Sequence, residues 1–406
     1  MIKQITLAGL LVTMLLSGCS STDKLDAVNE VVPTVSENDI SLELNGETVN
    51  TNNEQLIIET ETEEPEPVVQ TVNIKMVGDN LIHSGIYKAA HEGKGAYNFD
   101  FMFEHIKDDI EAADIAIINQ ETIFTADING YSGYPMFGSP IEVGIASVNA
   151  GFDIVAHSTN HTIDKGVQGI LDTLFFWEEN YPHIGVLGIH DSEEDSDIYY
   201  KETNGIKFAF VNYTYGLNGL ESRRVGKEYL VDMLTDSDIE ETLAESEEVA
   251  DLTVAILHIG NEYVYKPTTY QQEQIDKFID NGADIVLCAH PHVVQPYEMR
   301  ETANGKTGLV YYSLGNFISS QNEVPRVLGG MADITITKTT YKDNITLEIT
   351  DYTMIPLVTH QESGYYTTYK LEDYTDELAN RHKLKGKGLN IEKISTLYDD
   401  IIQNRK

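Results

Sequence analysis

Two histidines separated by one proline, His290-Pro291-His292, end an apolar run that begins at Ile285. Neutral imidazole is the commonest protein ligand for transition metals, and the proline fixes the backbone that aims both rings. Ile285 to Cys288 is too short for a helix and follows Gly282, so it is predicted as a strand buried on both faces. Alone, such a pair could equally bond backbone carbonyls at a strand end.

The same plan recurs four times upstream. Val72–Gly78 leads to Asp79, and Asp114–Ile118 leads to Asn119 and Glu121. Phe152–Ala156 runs into His157, Asn160 and His161, and Leu252–Leu257 ends at His258. Open sheets place their ligand sites beyond the carboxyl ends of the strands, so five such tips can share one cleft. Oxygen and nitrogen donors without thiolate suit Mn, Fe or Zn in a working centre better than a structural zinc site, and there are enough of them for one or two divalent metal ions. Each tip has a plainer use: Asp79 could cap a helix, Glu121 pair with a lysine, Asn160 stabilise a turn. One shared site accounts for all five together.

The spacing also carries a family resemblance. Val77-Gly-Asp79, Asn119-Gln-Glu121, Asn160-His161 with Asp164-x-Gly166, and His258-x-Gly-x-Glu262-Tyr263 occur in that order. Gly282-Ala-Asp284, His290-Pro-His292-Val-Val-Gln295-Pro-x-Glu298 and Tyr312-Ser-Leu-Gly-Asn316-Phe317 follow. Together they resemble the bacterial capsule synthesis protein CapA family, associated with poly-γ-glutamate capsules and similar to calcineurin-like metallophosphoesterases. The likeness runs from about Thr71 to Ser319. It implies that Asp79 and His292 hold one ion, that Asn160, His258 and His290 hold the other, and that Glu121 bridges them. It casts His161 as general acid or donor to the scissile group. Two departures stand out. Leu81 occupies the place of the histidine in the usual Asp-x-His motif, with His83 nearby as a candidate replacement, and Glu121 stands where phosphoesterases use aspartate. Asn119 is a further candidate ligand.

Around this core the chain divides by composition. Residues 1–18 read as a lipoprotein signal peptide: Met1-Ile-Lys3 is positive, Ile5 to Leu16 is apolar, and Leu16-Ser-Gly-Cys19 matches a lipidation site. Lipidated Cys19 would anchor the mature protein at the extracellular face of the cell membrane. Residues 19–70 form an acidic tether. Ser20 to Gln70 holds thirteen acidic residues against one lysine and no aromatic residue, too little apolar surface to offset the entropy of ordering. Residues 71–320 are the expected core, 321–370 accessory strands completing it, and 371–406 a helical, locally basic end. With Cys288 the only other cysteine, no intramolecular disulfide is open to the lipidated chain, and Cys288 is expected as a small core filler.

Alternating strand and helix patterns predict an α/β fold, a metallophosphoesterase-like sandwich of two mixed sheets flanked by helices. Helical spacing appears at Phe101–Ala113, Val167–Glu178 and Tyr270–Ile279, and strands at Lys207–Val211 and Leu309–Tyr312. Ala332–Ile336 and Ile345–Ile349 alternate as antiparallel strands do. The basic run Arg381–Lys387 is expected to be a solvated surface rather than a polymer contact.

A net charge of −39 argues against nucleic acid as a partner. It would also repel an anionic envelope polymer such as poly-γ-glutamate, unless divalent ions reverse the field within the cleft. Tyrosines cluster at 131–134, 213–215 and 263–265, just past strand tips where a polymer groove could run, although packing is the plainer use, and Gly130–Pro135 is the candidate substrate-facing lid. Three functions compete. One is a metal-dependent hydrolase or transferase of an envelope polymer, using metal-activated water. The second is a non-catalytic binding and assembly factor of capsule export, working with other capsule synthesis proteins. The third is a general extracellular metallophosphoesterase.

Overall fold

The computed structural model describes residues 65–403. Cys19, the signal segment and most of the acidic tether lie outside them. β1 (Val68–Asn80) leads through α1 (Ser84–Ala89), a hairpin of β2 (His91–Gly93) and β3 (Ala96–Tyr97), and α2 (Lys107–Glu111) to β4 (Ile115–Asn119). Then come α3 (Glu142–Ala150), β5 (Ile154–Ala156), α4 (Gly166–Asn180) and β6 (Gly185–Leu187). The chain crosses into β7 (Tyr199–Thr203), β8 (Ile206–Thr214), α5 (Ile239–Val249), β9 (Leu252–His258), α6 (Thr269–Asp280), β10 (Ile285–Ala289), β11 (Tyr297–Glu301) and β12 (Thr307–Tyr311). It returns through β13 (Asn316–Ile318), β14 (Leu328–Tyr341), β15 (Asn344–Glu362) and β16 (Tyr365–Lys370), and finishes in α7 (Asp376–Arg381) and α8 (Ile391–Gln403).

Two mixed sheets result, as expected. The first runs β16-β15-β14-β1-β4-β5-β6, with β13 beside the end of β1; the second runs β11-β12-β10-β9-β8-β7. β1, β4, β5 and β6 are parallel, as are β8, β9, β10 and β12, so their carboxyl ends share a direction within each sheet.

Alternation along the strands builds the layers. Val72, Ile74, Met76, Ile115 and Ile117 of the first sheet meet Phe208, Phe210, Val254, Ile256 and Leu287 of the second in one continuous core. Val77, Ala116 and Ile118 face outward onto Val143, Phe176 and Trp177 of α3 and α4. On the far side, Ala209, Val211 and Ala255 meet Leu243, Ile275 and Phe278 of α5 and α6. Central strands covered on both faces must be apolar throughout, which is why they read as continuous runs in the sequence. Truncating Ile256 to alanine here would cost about 2–5 kcal/mol, whereas the polar strand tips lie at the edge of these layers.

Three expectations shift. The boundary at 71 falls inside β1, which starts at Val68 and pairs with Thr340 and Thr339 of β14 through its first residues. The strands of 321–370 are not an accessory, because β14 lies directly against β1 in the first sheet. The single helix expected over Phe101–Ala113 is a 3-10 turn at Asp100–Met102 followed by the short α2.

Candidate metal centre

The carboxyl ends of both sheets meet, and six of the expected ligands sit there. The first sheet supplies Asp79 from the end of β1, Glu121 from just beyond β4, and Asn160 from the loop after β5. The second supplies His258 from the end of β9 and His290 and His292 from the turn after β10. All six are buried. Their donor atoms form two groups that share Glu121: Asp79, Glu121 and His292, and Glu121, His258 and His290, each with its donors within 4.8 Å of one another. Glu121 Oε1 is 3.7 Å from His292 Nε2 and 3.9 Å from His258 Nε2. His292 Nδ1 is 2.9 Å from Asp79 Oδ2, and Asn160 Oδ1 is 3.0 Å from His258 Nε2.

The charge balance tests whether ions fit. Both carboxylate oxygens of Glu121 are buried without a hydrogen-bond partner, as is His290 Nδ1. Leaving an ionised carboxylate so exposed to low dielectric costs several kcal/mol unless a cation answers it. Burial accordingly pushes the Glu121 carboxyl well above its usual range, further helped by the Asp79 charge although His292 opposes it. Burial and neighbouring imidazoles hold His258 and His290 well below the usual value, in the neutral form that binds metal. Burial pulls His292 down too, but Glu121 and Asp79 outweigh it and hold the ring up at about 9. A shared, orphaned carboxylate beside neutral His258 and His290 fits a divalent cation, and in the Asp79 group a cation would take the place of the proton on His292.

A second group, His190, Asp197 and Asp232, differs in this respect. It lines a cavity of about 470 Å³, but both Asp232 oxygens already meet His190 Nε2, at 2.9 and 3.1 Å. Its carboxylate is answered from within the chain.

The backbone is bent to build the centre. His290 and His292 both have positive φ, 104° and 58°, a region that costs a residue with a Cβ about 1–3 kcal/mol. This pair of outliers aims both rings into the cleft. Asp79 is set by a close approach: a Cβ on Gly78 would lie 2.0 Å from the Gly315 carbonyl oxygen, which accepts the Asp79 amide at 2.9 Å. Asn119, a candidate ligand above, keeps its Oδ1 buried without a partner and works also through its amide nitrogen. Nδ2 donates to Asp79 Oδ1 at 2.9 Å and lies 3.4 Å from His258 Nδ1, tying together ligands from the two sheets.

His161 joins neither group. Its Nδ1 is 2.7 Å from Asp164 Oδ2, and its ring meets the edge of Phe137, 4.6 Å away between centroids. His83 also stands outside both groups, with Nδ1 3.2 Å from the Leu81 carbonyl and its ring against Phe137. Burial lowers its pKa to about 4. His157, though at the same strand tip as Asn160, turns the other way and accepts the Trp177 indole N–H at 3.0 Å. Cys288 is fully buried in the layer under α5 and α6, where burial keeps the thiol protonated. The basic run is partly paired on the surface: Arg381 with Glu362 and Glu377, and Lys387 with Glu323. Two tyrosines wall the cleft, Tyr215 at 4.6 Å from the His290 ring and Tyr263 at 5.9 Å from the His292 ring. Tyr263 belongs to one of the tyrosine clusters expected past the strand tips, whereas Asp164 stands in a motif to which the sequence attaches no role.

The chain is similar to several known proteins. A family model described as bacterial capsule synthesis protein PGA_cap matches residues 73–321. The capsule biosynthesis protein CapA of Bacillus anthracis is 27% identical over 273 residues, 64% of this chain and 64% of that protein. The PGA biosynthesis protein CapA of Bacillus subtilis (strain 168) is 29% identical over 260 residues, 62% of this chain and 64% of that protein. The chain thus spans just under two thirds of the length of these relatives. Among solved structures, a putative 5'-nucleotidase from Staphylococcus aureus aligns with a TM-score of 0.42 at 15% identity, over 70% of this chain and 54% of that one. A likeness at that score says nothing about chemistry.

Proposed function

The chain belongs to the bacterial capsule synthesis protein family, and from that membership we propose that it is a metal-dependent hydrolase or transferase acting on an anionic envelope polymer such as poly-γ-glutamate. The observation that carries this reading is Glu121, a fully buried carboxylate with both oxygens unpartnered and two sets of donors around it. Asp79, Glu121 and His292 would hold one divalent ion, and Glu121, His258, His290 and Asn160 the other. Bound there, such ions would supply Lewis acidity and an activated water.

The chain's own residues do the rest. Asn119 fixes Asp79 and braces His258. Asp164 orients the His161 ring through Nδ1, leaving Nε2 to carry a proton toward a leaving group at the cleft rim. Tyr215 and Tyr263 restrict water at the His290 and His292 side. Anchoring through lipidated Cys19 would place this cleft at the extracellular face of the cell membrane, beside the growing polymer and the other capsule synthesis proteins.

One observation favours a second reading, a binding factor for capsule assembly without turnover. With Leu81 in place of a histidine, the Asp79 group has three donors from Asp79, Glu121 and His292, whereas its neighbour has a fourth in Asn160 Oδ1, 3.0 Å from His258 Nε2. Metal analysis of the purified chain, followed by product analysis on poly-γ-glutamate and on phosphodiesters, separates these readings. Cleavage or transfer of the γ-glutamyl chain supports the enzyme, hydrolysis of phosphodiesters alone supports a general phosphoesterase, and bound metal with neither product supports the binding factor.

A further inference from the structure

Arg326 is anomalous in this chain. Acidic residues outnumber Lys and Arg by 66 to 27, so a guanidinium without a carboxylate is unexpected. Of the five arginines among the described residues, Arg224, Arg300 and Arg381 pair with carboxylates, and Arg223 donates to the Ile163 and Asp164 carbonyls. The Arg326 guanidinium has no oxygen partner among the described residues. It lies over the Tyr263 ring, with its central carbon 3.5 Å from the centroid.

That placement is fixed from below. Arg326 sits in the 3-10 turn Val324–Val327, and its carbonyl accepts Asn316 Nδ2 at 2.9 Å. The same Nδ2 lies 3.4 Å from the His292 carbonyl, so the turn and the ligand loop are held to one side chain. Tyr263 is tied to that loop as well: its amide donates to the Pro291 carbonyl at 2.8 Å, and its ring is 5.9 Å from that of His292. Contact with an aromatic face holds the fork without using any of its N–H donors. An arginine kept rigid, half-buried and unpaired beside a metal-competent cleft is organised to receive an oxyanion, which guanidinium binds bidentately.

We propose that Arg326 anchors an oxyanion of the substrate, one unit away from the group that reacts. Arg326 and the His292 ring share Tyr263, at 3.5 and 5.9 Å from its centroid, so the group anchored on Arg326 and the group reacting at the centre belong to neighbouring units of a chain. This rests on the polymer reading above and narrows it: the substrate carries repeated anionic groups, and Arg326 sets which unit reaches the centre.

Isothermal titration of the full chain with γ-linked pentaglutamate, and separately with inorganic phosphate, tests the anchor. Wild type is expected to bind pentaglutamate, and Arg326→Gln to weaken that binding about tenfold or more, with metal content and Tm unchanged. Arg326→Lys should recover only part of the affinity, because lysine keeps the charge but loses the fork. Equal affinity in wild type and Arg326→Gln would overturn the anchor and leave the metal-dependent reading standing. Phosphate binding that depends on Arg326, with no pentaglutamate binding, would keep the anchor and overturn the polymer. Binding of neither probe by wild type would overturn the anchor, while metal content still tests the centre itself.

Discussion

His161 Nδ1 lies 2.7 Å from Asp164 Oδ2, and the same carboxylate oxygen accepts the Phe137 amide at 2.7 Å. One acidic group thus orients an imidazole at the cleft and holds the end of the loop that follows Gly130–Pro135. In the proposed function, that carboxylate holds the imidazole ready to deliver a proton.

His161→Asn is therefore expected to lower turnover about a hundredfold or more, with metal content and Tm retained. Asp164→Asn should keep the Phe137 contact through its amide oxygen and lower turnover less, because the ring remains but its tautomer is no longer fixed. Full activity in His161→Asn, measured by product release or by capsule per cell, would assign the ring to structure.

His290→Ala is expected to remove at least one ion per chain while leaving the fold intact. The ligand sits just past the end of β10, beyond the apolar layers that hold the sheets together, so those layers stay packed. Elemental analysis alongside circular dichroism checks this. Metal content equal to wild type would discard the assignment.

The His190 cavity makes a pH prediction with a definite sign. Burial raises the Asp197 carboxyl from 3.8 to about 7, reinforced by the Asp232 charge and opposed by His190. Across that window the folded chain keeps a proton the unfolded chain has released, so stability falls as pH rises. His190 acts in the same direction: burial lowers it, Asp232 outweighs burial and raises it, and its contribution is lost as pH climbs through the raised value. Tm of Asp197→Asn should decline less between pH 4 and 7 than that of wild type, as followed by calorimetry. Parallel curves for the two proteins would contradict the account of this cavity.

Cys19→Ala is expected to release the protein from membranes or to block its maturation. Fractionation showing unchanged membrane retention with normal processing would remove the lipid anchor from the proposal.

The centre was legible because strands buried on both faces spell out apolar runs, and what interrupts such a run at the carboxyl end is seldom there for packing. Asp79, Glu121, His258, His290 and His292 all announced themselves in this way. His157 did so too and faces the other way, onto Trp177, because the direction of a side chain just past a strand depends on a turn that composition does not specify. The helix over Phe101–Ala113 failed for a related reason. Met102, Phe103, Ile106 and Ile110 are buried as their spacing required, but the chain presents them through turns such as Met102 N–H to Phe99 O and Ile106 N–H to Phe103 O. Periodicity identified the buried face and not the winding. The positive φ values at His290 and His292, the amide of Asn119 joining two sheets, and the seat of Arg326 on Tyr263 arise from contacts distant in sequence, and no local pattern encodes them.

Glu121 is the residue on which the account turns, and metal content per chain in wild type and Glu121→Gln is the measurement that tests it most directly. Wild type is expected to hold one or two divalent ions. Glu121→Gln should keep its fold and lose metal at both groups, because the shared charge is gone while its volume remains. A wild-type protein that takes up no Mn, Fe or Zn, or a Glu121→Gln variant that binds as much as wild type, would contradict the metal centre and with it the proposed chemistry.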